Sequence, residues 1–133
     1  MLTKEIAQYL QANGIGTLDT DIFYEYLPPS PNAVVAIFST GGEIASSVLG
    51  YDSPTIQIRV RAANPTIAYN KAMSVYNLLV GLTNVTLTNN GTYIVNCEAL
   101  QSAPINIGKD EQSRIEYTQN YVFDIKNDTI NRE

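Results

Sequence analysis

The chain has 133 residues, enough for one domain whose core needs no disulfide or metal staple. Its formal charge is −5 with only eight Lys and Arg, which argues against general nucleic-acid binding through neutralised phosphates. It has no histidine and one cysteine, Cys97, which excludes Ser-His-Asp and Cys-His catalysis, histidine-based zinc sites, thiolate clusters and an internal disulfide.

Residues 2–13 predict an amphipathic helix and not a signal peptide, with Ile6, Tyr9 and Leu10 on its apolar stripe, Thr3 as a cap and "NGIG" as its stop. Residues 22–27, "IFYEYL", predict an aromatic-rich strand, and "PPSP" then forces an extended turn. "AVVAIF" (33–38) is apolar on both faces, as an interior strand is. Residues 39–54 read as a long loop, broken by glycines yet carrying Ile44, Val48, Leu49 and Tyr51.

"TIQIRVR" (55–61) alternates cleanly, with Ile56, Ile58 and Val60 opposite Gln57, Arg59 and Arg61. The strongest helix signal follows. Asn64 caps it, Pro65 occupies the first position, Ala68, Ala72, Val75, Tyr76 and Leu79 form a buried stripe, and Gly81 stops it. "NNG" between alternating runs then predicts a hairpin whose second strand puts Tyr93, Val95, Cys97 and Ala99 on one face. A last strand over 115–125 carries Tyr117, Tyr121, Phe123 and Ile125 on one face, interrupted by Gln119. Its other face carries Glu116, Thr118, Asn120 and Asp124, and the tail 127–133 reads as frayed.

This order predicts a single α+β domain over residues 1–133: a mostly antiparallel sheet with two helices on one face and a polar opposite face. No apolar stretch is long enough to span a membrane, and the chain is expected to be soluble.

Charged residues supply the candidate sites. Asp110, Glu111 and Glu116, with Glu98, could gather a hard cation or serve as acid and base. The blander reading is a solvated connector that keeps a strand edge soluble. Arg59 and Arg61 point from one strand face, toward solvent or toward carboxylates of a neighbouring chain. Cys97 reads as buried filler, not a nucleophile.

Three segments carry a family resemblance. "IQIRVRAANPTIAYNKAMSVYNLL" resembles a strand-then-helix segment of small tailed-phage proteins. "APINIGKDEQSRIEYTQNYVF" is similar to their C-terminal pattern, a Pro, Gly-x-Asp-Glu, an Arg and an aromatic-Thr-x-Asn run before a final strand. "YLPPSPNAVVAI" fits as their Pro-rich turn and strand. The family is the tail-terminator and minor capsid group, similar to the lambda-type tail terminator.

That resemblance implies a non-enzymatic virion protein without cofactors, made in the bacterial host cytoplasm. It implies a homo-oligomeric ring, typically a hexamer, on the end of the tail tube. The ring stops tube polymerisation, meets the tail tube protein and the head-completion or connector proteins, and passes DNA through its lumen without specific binding. The alternatives are another head–tail joining or minor capsid role, a small carboxylate-based metal enzyme, or a ligand- or peptide-binding module. On the terminator reading, Lys109, Asp110, Glu111 and Arg114 form an assembly surface with Arg59 and Arg61 as partners for carboxylates across the interface. Reversing charge at Asp110 and Glu111 together is then expected to weaken the ring.

Overall fold

A computed structural model describes residues 1–132. Two helices, α1 (Leu2–Ala12) and α2 (Pro65–Leu79), accompany eight strands. The strands are β1 (Ile22–Tyr24), β2 (Val34–Gly42), β3 (Tyr51–Asp52), β4 (Pro54–Ala62), β5 (Thr83–Thr86), β6 (Tyr93–Ala99), β7 (Ile105–Lys109) and β8 (Ile115–Lys126). All eight join one mixed sheet: six follow the order β1-β2-β4-β8-β6-β5, and β3 and β7 each pair with β8. Only β1 and β2 pair in parallel; every other pairing is antiparallel. The fold is therefore α+β and dominated by strands, as the pattern predicted.

β8 is the hub. On one edge it pairs with β4 along most of its length and with β3 at its end. On the other edge it pairs with β7 at its start and β6 at its end. A strand flanked on both edges hides its ladder from water, which suits its long run of large side chains.

The core forms on the face that both helices cover. Ile6 and Leu10 of α1 and Ala72, Val75 and Leu79 of α2 pack on Ile37, Ile58, Val60, Tyr121 and Phe123. Each fully buried large apolar side chain contributes roughly 1.5–3 kcal/mol of transfer free energy. The α2 signals hold in detail: the Asn64 side chain accepts hydrogen bonds from the amides of Thr66 (2.8 Å) and Ile67 (3.3 Å), and Gly81 adopts φ +88°. Gln119 sits among the core aromatics because its Nε2 donates to Gln101 O at 2.6 Å, tying the β6–β7 connection to the hub.

Several expectations are corrected. Thr3 is not the cap of α1; Met1 holds that position, and the buried Thr3 hydroxyl donates to Glu25 Oε2 at 2.9 Å. The long loop shrinks to residues 43–50, because β2 continues through Ser39 to Gly42 along β4 and Tyr51–Asp52 adds to β8. Gly42 makes this possible, since at φ +135° a Cβ there would collide with the Ser53 carbonyl. The connector before the last strand contains a strand, β7. In β6 a bulge falls between Ile94 and Asn96, so Ile94, not Val95, shares the core face with Cys97. Of the tail read as frayed, Asn127 and Arg132 are tied to Asp52, and Glu133 lies outside the described residues.

Candidate assembly surfaces

The charged stretch that follows β7 is a hairpin turn built around one carboxylate. Asp110 Oδ1 accepts from the amides of Gln112 (3.0 Å) and Arg114 (2.8 Å), and Oδ2 accepts from Arg114 Nε at 2.7 Å. Burial alone would raise the Asp110 pKa, but these amides and the guanidinium outweigh it and hold the carboxyl below its ordinary value. The Arg114 guanidinium also donates to Pro29 O. Asp110 and Arg114 are thus joined to each other and to the chain, whereas Lys109 and Glu111 project from the turn into solvent.

The sheet face opposite the helices is polar but partly buried. Arg59 Nη2 meets Glu116 Oε1 at 2.8 Å across the β4–β8 ladder. Arg61 donates to Pro31 O (2.7 Å) and Asn32 O (3.3 Å). Arg61 and Arg114 therefore pin the connection between β1 and β2 to this face. Burial, then the nearby Arg114 charge, pulls the Arg61 pKa down despite Asp110 and Glu116. Four of the six predicted site residues, Arg59, Arg61, Asp110 and Arg114, thus make bonds within the chain.

Glu98 is exposed on β6 and accepts from Asn96 Nδ2 at 3.1 Å, apart from the turn. Among the described residues no three His, Cys, Asp or Glu lie together as a metal-binding group. Burial pushes the Cys97 thiol pKa up to about 12, so it stays protonated. No helix among the described residues is long and apolar enough to cross a membrane.

At the far end of β8 lies a second surface that charge spacing did not reveal. Arg132 grips Asp52 with both terminal nitrogens (2.9 and 2.6 Å) and also donates to Ser46 O and Asn127 O. Asn127 adds an amide bond to Gly50 O at 2.7 Å and a side-chain bond to Asp52 at 2.9 Å. Arg132, then Asn127, lowers the Asp52 pKa, and Asp52 raises that of Arg132. This clasp holds the 43–50 loop, whose apolar side chains nonetheless face solvent. The sequence signal was present in those apolar residues; their tether, some eighty positions away, was not. An open cleft of about 870 Å³ adjoins the loop, between the start of α1 and the β5–β6 tip.

The strand-dominated sheet displays charged and apolar side chains at both ends of its hub. The chain belongs to the bacteriophage tail terminator family: the family model described as "Bacteriophage tail terminator protein" matches residues 9–127. Its role is thus that of a structural component of the phage tail. No curated protein matches the sequence. Among solved structures, a chain of the "Virion of native gene transfer agent (GTA) particle" superposes with TM-score 0.66 at 18% identity, covering 94% of each chain. A second solved chain gives TM-score 0.56 at 11% identity, covering 96% of this chain and 92% of its own. These two likenesses establish the fold.

Proposed function

We propose that six copies of the chain close into a ring on the last ring of the tail tube. The ring stops tube polymerisation and offers a surface to head-completion or connector proteins at the head–tail junction. DNA passes through the lumen, and a chain of net charge −5 suits a passage that must not grip phosphates. The protein acts without catalysis, is made in the host cytoplasm and ends in the virion. Family membership supports this reading. The observation that carries the ring is that the chain displays two unlike exposed surfaces at opposite ends of β8, the requirement for head-to-tail closure.

Within this proposal the six charged residues divide by role. Lys109 and Glu111 meet the neighbouring subunit or the tube. Asp110 and Arg114 shape the turn that presents them, and Arg59 and Arg61 keep the sheet face behind it in place. Because Asp110 staples the turn, reversing its charge would disturb local structure as well as contact. The cleaner variant is Lys109→Glu with Glu111→Lys. Native mass measured over a concentration series, alone and with tail tubes, tests the ring. A discrete species at six times the 14.6 kDa chain mass supports it, and weaker assembly of the double variant supports the turn as interface. A chain that stays monomeric alone and does not bind tube ends overturns it.

A further inference from the structure

The two ends of β8 each leave large apolar side chains in water. In the 43–50 loop, Ile44 is 97% exposed, Val48 67% and Leu49 58%. At the other end, β7 pairs with β8 on one side only, and all five of its residues are exposed. Ile107, at the irregularity between Asn106 and Gly108, is 46% exposed, and Ile105 is 40% exposed. Leu100, 56% exposed, extends this patch, since its amide bonds Asn120 O, two residues along β8 from the Thr118 that pairs with Ile105. Single exposed apolar residues are ordinary, but clusters of three on one short segment mark contact surfaces. An open edge strand carrying two isoleucines is the arrangement that soluble proteins otherwise avoid.

The two patches cannot meet within one chain. One lies against residues 125–126 of β8 and the other against residues 115–118, on the opposite edge. At strand rise that separation is on the order of 25 Å. The two ends offer one pair of opposite charges, beside which Glu111 also stands exposed. Glu43, at the base of the loop, and Lys109, at the end of β7, are both exposed, and neither forms an ion pair among the described residues. The Arg132 clasp presents the loop already ordered, which lowers the entropy cost of docking.

From this we infer that the 43–50 loop of one copy seats on the β7 edge of the next, with Val48 and Leu49 against Ile105, Ile107 and Leu100, and Glu43 toward Lys109. This deepens the ring proposal and rests on it. The contact is heterologous, so each copy gives its loop to one neighbour and its edge to the other, and closure leaves neither patch in water.

Cysteine pairing tests it. Val48→Cys and Ile107→Cys are made separately in the full chain, and the native thiol, 1% exposed, stays inert. Both positions are exposed, so melting temperatures should match the parent. Mixing the two variants with a short bis-maleimide should give a covalent dimer at least tenfold above either variant alone. A chain carrying both should give a ladder that ends at the ring. Separately, Val48→Asp or Ile107→Asp should cut assembly at least tenfold while leaving the fold intact. Rings of full mass without loop-to-edge linkage, or Val48→Cys linking mainly to itself, overturn this docking and leave the ring standing. A chain that forms no ring alone or on tubes overturns both.

Discussion

The two faces of β8 solve burial in opposite ways. Toward the helices, Tyr121 and Phe123 are buried by apolar packing from elements that the sequence places nearby in pattern, if not in number. On the other face, Glu116 and Thr118 are also buried, yet their neighbours are Arg59, Arg61 and Arg114 and a proline-rich connection. The first face gains from removing apolar area from water and tolerates adjustment. The second depends on its ion pair and carbonyl bonds, because an orphaned donor or acceptor carries its full desolvation penalty, a cost this face already bears at Arg59 Nε and Thr118 Oγ1. That difference explains why charged residues that look like an interface by sequence can serve as internal fasteners.

Mutation separates the two faces. Phe123→Ala should destabilise the chain most, by about 3–5 kcal/mol, through lost burial and a residual cavity. Denaturant midpoints check this; a loss below about 1 kcal/mol would mean the core face is not what holds the sheet. Arg61→Ala should cost about 1–3 kcal/mol by removing a buried side chain together with its bonds to the Pro31 and Asn32 carbonyls. Hydrogen exchange should rise in the 25–33 connection and stay unchanged in α2.

Acid should loosen the ends of the hub before its core. Asp52 and Asp110 both have folded pKa values below the ordinary 3.8, and Glu25 lies below 4.5 through Ser39 and Thr3 bonds that outweigh its burial. A lowered folded value means the stabilisation is complete above the ordinary value and is lost as pH falls through the folded one. Exchange at residues 44–52 and 110–114 should therefore accelerate below about pH 4, with little change above about pH 5. Arg132→Ala should reproduce the loop half of that effect at neutral pH, exposing amides of residues 46–52 while the melting temperature scarcely moves. The smallest stability effect belongs to Lys109→Glu with Glu111→Lys. These exposed side chains should change stability by less than about 0.5 kcal/mol while weakening assembly.

How much was legible follows from the range of the forces involved. The α2 helix was readable because its cap, its proline and its stripe all lie within one local run. The β4 alternation was readable for the same reason. β7 was missed although "INI" alternates, because three residues between Pro104 and Gly108 cannot outweigh a reading as connector without knowing that β8 offers an edge. The bulge at Val95 is set by the partner strand, so alternation alone put Val95 in place of Ile94 on the face of Cys97, while it placed Ala99 there correctly. Among the charges, spacing picked out candidates but not their partners within the chain. Arg59 to Glu116 and Arg132 to Asp52 are pairs that only the folded sheet brings together.

The proposed role, ending the tail tube, can be tested directly. The most direct measurement is the length distribution of tubes grown from purified tail tube protein, imaged by electron microscopy, with the chain added at substoichiometric amounts. Tubes that stop short, each capped at one end by a single ring with an open lumen, are the predicted result. Tubes of unchanged length with uncapped ends, in the presence of folded chain, would contradict it.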